Sequence, residues 1–177
     1  MKRRDVIIWC LVCLILAACS RSIAREIDDG VPSGDTALHL VASADSLGID
    51  EECDVEIRLE RAVNLYGLHI HLEFDPAKMQ VVDADPEREG IQITPGHLPS
   101  PDFIALNMVD NEYGMIDYAV VQTYPREPAS GSGIVAVIRV RAIGPGISPI
   151  AVLHAQLSDP DGNELPVRVE NFEIDVR

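Results

Sequence analysis

Histidine, cysteine and carboxylate side chains are the groups in this sequence that could hold a metal or move a proton. His69 and His71 stand two apart, so both imidazoles share one face if the segment is a strand. Such a pair can share a cation, but structural zinc takes four ligands and catalytic zinc three plus water. The two histidines are therefore read as solvated or partner-contacting, and no metal site is assigned. Asp159-Pro160-Asp161-Gly162-Asn163-Glu164 opens like a calcium loop, which would need glycine at its sixth position and glutamate at its twelfth. Glu170 stands at the twelfth, but Gly162 falls at the fourth, so the spacing fails and a tight turn is expected. With 29 acidic residues in the chain, carboxylate pairs arise by chance, whereas a glycosidase needs two at a defined separation in a cleft. Gly-x-Ser-x-Gly, His-Glu-x-x-His and phosphate-cradling loops are absent. The expectation is a protein with no catalytic residues and no cofactor.

The four cysteines divide by position. Met1-Lys2-Arg3-Arg4-Asp5 is cationic apart from Asp5, and thirteen apolar residues, Val6 to Ala18, follow before Ser20. That run covers about 20 Å as a helix, short of a hydrocarbon core of roughly 30 Å, and reads as a signal peptide over residues 1–18. Leu16-Ala17-Ala18-Cys19 resembles the lipobox of bacterial lipoproteins. The resemblance implies cleavage before Cys19, acylation of its thiol and attachment to a membrane without spanning it. An ordinary export signal cut near Cys19 is the alternative, and Ser20 carries no inner-membrane retention signal. Cys10 and Cys13 go with the signal, which leaves Cys53 without a disulfide partner in the chain, as a small buried hydrophobe opening a strand.

Removal of residues 1–18 takes three basic residues and one acidic one from the 14 and 29 of the whole chain, so the formal charge moves from −15 to −17. So acidic a surface repels phosphate backbones, which excludes a nucleic-acid binder. Residues 19–35 mix charges with Gly30, Pro32, Ser33 and Gly34 and show no apolar period. They read as lipid anchor and flexible linker, with a reach of about 20 Å.

From Ala37 onward the apolar pattern has period two, and no helical period is sustained. In Asp54 to Arg61, Val55, Ile57 and Leu59 alternate with charges, and in Leu65 to Asp75 the inward set is Leu68, Ile70, Leu72 and Phe74, with His69, His71 and Glu73 opposite. Shorter runs at Ala37–Ser43, Met79–Asp83, Phe103–Val109, Met115–Thr123, Ile134–Ala142, Ile150–Leu157 and Val167–Val176 bring the count to about nine. Turns rich in Gly, Pro, Asn and Asp separate them, as in an all-β sandwich or jelly roll. In the last run the inward phase changes between Val169 and Phe172, which a β-bulge near Glu170-Asn171 would accommodate. Asp85 to Asp102, with four prolines and two glycines, reads as a long surface excursion with a short strand at Ile91-Gln92-Ile93.

Several of these elements, in order, resemble a cohesin module. They are Val63-Asn64-Leu65-Tyr66-Gly67 leading to Phe74-Asp75-Pro76, then Gly114-Met115-Ile116-Asp117-Tyr118, the run Gly131 to Ala142, and the turn Asp159 to Asn163. The resemblance covers residues 36–177 and implies a nine-stranded jelly-roll β-sandwich, also used by carbohydrate-binding modules. It implies no chemistry, a dockerin-bearing partner that carries the calcium, and a setting in polysaccharide degradation or cell-surface assembly. It further implies a protein-binding face made of Gly67, His69, His71, Asp117, Ala119 and Val121, with Val152 and His154 on a neighbouring strand. Cohesins place Asn or Asp where this chain has Gly67 and His69, which leaves its dockerin class open. Direct polysaccharide binding is the rival. Against it, Trp9 is lost with the signal, Tyr66 and Tyr118 follow the inward phase, and only Tyr113 and Tyr124 remain as loop platforms. A structural or assembly lipoprotein using the same face for another protein is the third reading.

Overall fold

The computed structural model describes residues 35–177. The expected signal peptide, Cys19 and nearly all of the linker lie outside the described residues. No helix occurs among the described residues, and none there is long and apolar enough to cross a membrane.

Thirteen strands form two facing sheets: β1 (Ala37–Ala42), β2 (Ser46–Leu47), β3 (Glu52–Leu65), β4 (Gly67–Phe74), β5 (Met79–Val81), β6 (Thr94–Pro95), β7 (Phe103–Asp110), β8 (Met115–Val121), β9 (Ala129–Ala142), β10 (Gly146–Ser158), β11 (Glu164–Leu165), β12 (Arg168–Val169) and β13 (Phe172–Val176). Nine have three residues or more, which matches the expected jelly-roll sandwich, and four are two-residue pairings. The first sheet has the order β12-β1-β3-β9-β5, with β6 on β9. The second has the order β2-β13-β10-β4-β8-β7, with β11 on β10.

Period-two patterning builds the core. Val55, Ile57 and Leu59 of β3 face Ile70 and Leu72 of β4 and Ile116 and Tyr118 of β8 across the sandwich, all essentially sealed from solvent. Cys53 is buried with them, and burial pushes its thiol pKa up, as expected of a packed hydrophobe.

Three expectations are corrected. Residues 168–176 do not form one bulged strand: β12 pairs in parallel with β1 of the first sheet, and β13 pairs with β10 of the second. The phase change near Glu170-Asn171 is a crossing between sheets, which leaves Val169 exposed while Ile174 and Val176 are buried. The Asp85–Asp102 connection is not wholly superficial. Ile93 and Leu98 enter the core, Thr94-Pro95 pairs with β9, and Ile91 makes only an isolated bridge to Val109. The Asn107 side chain accepts from Ile93 N and donates to Ile93 O, and Asn111 does the same for Val81. Each amide imitates a strand partner and closes the gap between the sheets beside β7. Third, Tyr66 sits at the break between β3 and β4 and is half-buried, while Tyr118 is inward as expected. The Asp159–Asn163 turn has the expected form: the Asp159 carboxylate accepts from the amides of Asp161 and Asn163, and the backbone closes from Gly162 N to Asp159 O.

One carboxylate links the loop before β7 to the loop after β8. Asp102 accepts from Arg126 Nε at 2.7 Å and from Thr123 N at 3.1 Å, and these bonds hold its pKa at about 2, down from 3.8. Because the folded value is the lower one, the stabilisation is complete above about pH 4 and is lost as pH falls through about 2. Thermal melts of the wild type should lose stability across that window, and Asp102→Asn should be less stable at pH 7 yet lose less on acidification. An identical acid profile in the variant would remove Asp102 as a contributor.

Candidate docking face

The outer faces of the two sheets are built differently. On the first sheet, charges pair across strands: Arg139 of β9 meets both carboxylate oxygens of Asp54 at 2.8 and 3.2 Å, and Arg141 meets Glu52. Arg58 pairs with Glu56 and Arg61 with Glu60 along β3. That face neutralises itself.

On the second sheet, β10, β4, β8 and β7 contain no lysine or arginine. Their registers set the outer face in rows. Gly67 lies between Ser158 and Val121, His69 between Gln156 and Ala119, His71 between His154 and Asp117, and Glu73 between Ala151 and Met115. β7 continues the rows with Phe103 beside Val121, Leu106 beside Ala119 and Met108 beside Asp117. Two irregularities make this possible. A register shift between Ile104 and Leu106 keeps Phe103 and Leu106 on one face despite their odd spacing. Another between Val152 and His154 turns the phase of β10 and leaves Leu153 58 % exposed.

The expected face residues are thereby sorted. His69, His71, Asp117, Ala119, Val121 and His154 share the outer face. Val152 does not: it pairs with Leu72 before the shift and packs against the core. Gly67 is in the right row but buried, because the Ser158 hydroxyl would lie 2.7 Å from a Cβ there. Residue types alone do not place Phe103, Leu106, Met108 and Leu153 on this face. Phe103 is 57 % and Met108 63 % exposed, so the face carries more apolar surface than the residues named from sequence. The alternation of Phe103 to Val109 is a usable signal, but it does not say which strand lies beside it.

His71 Nδ1 is 2.8 Å from Asp117 Oδ1, and His69 Nε2 is 3.8 Å from the same oxygen. The His69 and His154 rings meet edge to face with centroids 5.7 Å apart. The polar cluster of His69, His71 and Asp117 thus adjoins the small and apolar positions Ala119, Val121, Phe103 and Leu106.

A sandwich of this topology has one face whose charges pair with one another and one on which β10, β4, β8 and β7 carry no lysine or arginine. Its fold is that of the cohesins. A type II cohesin domain from the cellulosome of Acetivibrio cellulolyticus superposes with a TM-score of 0.69 at 17 % identity, over 80 % of this chain and 95 % of that one. A type II cohesin in a cohesin–X-dockerin complex from the same organism gives 0.69 at 14 % identity, over 81 % of this chain and 100 % of that one. A non-cellulosomal cohesin from the archaeon Archaeoglobus fulgidus gives 0.64 at 14 % identity, over 81 % and 92 %. No protein-family model matches the chain, and no curated protein matches it.

Proposed function

We propose that this protein is a non-catalytic, lipid-anchored receptor that captures a dockerin-bearing partner on the outer face of β10, β4, β8 and β7. The observation that carries the reading is the asymmetry of the sandwich: on a cohesin fold, the face without cations is the one with exposed Phe103, Leu106, Met108 and Leu153. Cohesin folds that occur in complexes with dockerins support the partner class. The calcium belongs to the partner's dockerin, and the setting is polysaccharide degradation or cell-surface assembly.

Direct polysaccharide binding is the weaker reading. Tyr124 is 92 % exposed and Tyr113 is also exposed, but they flank opposite ends of β8, a seven-residue strand that spans about 23 Å. Two rings so placed make no common stacking platform. The test is capture from the secreted proteins of the source cell, in calcium and again in chelator. Recovery of a dockerin protein only in calcium supports the proposal, and retention on insoluble polysaccharide without any dockerin protein contradicts it.

The anchor is proposed from Leu16-Ala17-Ala18-Cys19. Cys19→Ser should leave the domain folded and binding-competent but move it from the membrane fraction to the soluble one. A variant that stays with the membranes would exclude lipidation at Cys19.

A further inference from the structure

We propose that His69, His71 and Asp117, with His154 as a fourth donor, bind a borderline divalent transition-metal cation of the zinc class at the centre of the cation-free face. The proposal does not depend on the docking reading. His71 lies directly between His154 and Asp117 across three strands, and His69 is one row away on the same side. Asp117 Oδ1 is the hub, 2.8 Å from His71 Nδ1 and 3.8 Å from His69 Nε2. The 2.8 Å contact is a hydrogen bond that a shared ion would replace: ligands held about 2.0–2.2 Å from a tetrahedral zinc have donor atoms about 3.3–3.6 Å from one another, a separation that the 3.8 Å of the His69 pair approaches. Two imidazoles on one such ion place their centroids about 5 Å apart, close to the 5.7 Å between His69 and His154.

An independent observation points the same way. His69 Nε2 is screened from solvent and has no hydrogen-bond partner, although the rest of the ring is substantially exposed. A cation between this shielded, unpaired nitrogen and the carboxylate oxygen 3.8 Å away would satisfy both. No lysine or arginine on the four strands competes for that place, and a chain of net charge −15 favours cations. Among the described residues no three donors already surround one point, so the ion would draw the rings in by rotation about their side-chain bonds. The partly exposed side chains of His69 and His71 leave room for that. Three imidazoles and one carboxylate suit zinc, nickel or copper(II), whereas calcium and magnesium require oxygen donors.

The test is titration of tag-free protein with zinc chloride, followed by calorimetry and by the histidine ring resonances. The expected result is a single site that shifts His69, His71 and His154 while leaving His39 and His97 unmoved, with calcium chloride moving none of the three. His69→Ala and Asp117→Asn, checked for unchanged unfolding curves, should each weaken zinc binding by about tenfold or more. Unmoved resonances with zinc in excess, or unaltered affinity in both folded variants, would overturn the proposal. No partner is present in the experiment, so its failure leaves dockerin capture untouched, and failure of capture leaves the metal site untouched.

Discussion

Ala119→Arg is expected to abolish partner capture while leaving the domain folded. Ala119 sits in the middle row of the second sheet, with His69 on one side and Leu106 on the other, and its side chain points away from the core. A guanidinium there would stand where a partner must pack closely, and its desolvation would go uncompensated unless the partner supplied an acid. Central positions of such faces cost about 2 kcal/mol or more when disrupted, roughly thirtyfold in affinity. The control is Val41→Arg on the outer face of the first sheet, where Val41 is exposed and lies opposite Glu56. An added cation there stands on a face that already carries arginines, away from the apolar rows of the second sheet, and should leave capture unchanged. If Val41→Arg lost capture and Ala119→Arg kept it, the docking face would have been assigned to the wrong sheet.

The second large effect concerns the turn that aligns β7 with β8. Gly114 has φ of +70°, and a Cβ added there would run into the carbonyl oxygen of Phe74 and approach the Pro76 ring at 2.9 Å. Its own carbonyl accepts from Phe74 N at 2.8 Å, so the residue cannot retreat without breaking the connection between the turn and the end of β4. Left-handed backbone and overpacking together should make Gly114→Ala about 2–5 kcal/mol less stable, lowering Tm by about 10 °C or more. Gly162 has φ of +81° and open space where a Cβ would stand, with nothing within 4 Å, so Gly162→Ala should cost only about 1 kcal/mol. Denaturant unfolding of the two variants separates backbone strain from collision, and equal losses would mean that the contact with Phe74 contributes nothing.

Much of this architecture is legible in residue order because a strand's two faces follow from alternation alone. Phase and resemblance put Val55, Ile57 and Leu59 inside and His69, His71, Asp117, Ala119 and Val121 outside, and the registers agree. What alternation does not carry is an extra residue or a change of partner. Val152 departs from the expected face because the shift after it inverts the phase of β10, and the same shift is what turns His154 outward. The last strand reads as bulged because a crossing between sheets produces the same change of phase. The Asp85–Asp102 connection looks superficial in sequence because its prolines and glycines exclude regular strands. Its contribution to the core comes from isolated residues, Ile93 and Leu98, the first held by the side chain of Asn107, fourteen residues away. The apolar share of the face is hidden for another reason. Phe103, Leu106 and Met108 count as exposed only once β7 is known to be the edge neighbour of β8, and strand order is set by packing between elements rather than by any one of them.

The contrast between the two faces gives the proposed docking its selectivity. Carboxylates on the first sheet are matched by arginines within the same face, whereas Asp117 and Glu73 on the second meet no cation on their own strands. A partner that sets basic residues against Asp117 and Glu73 and apolar ones against Phe103, Leu106 and Met108 would complement that face and gain little from the other. Capture should therefore weaken with salt without being abolished, because the apolar rows are not screened.

The most direct test is backbone amide NMR of the protein with and without its captured partner in calcium. Perturbation concentrated on His69, His71, Phe103, Leu106, Met108, Asp117, Ala119 and His154, with Asp54, Arg139 and Arg141 unchanged, is the expected result. Perturbation centred on the charged rows of β3 and β9 would contradict docking on the second sheet.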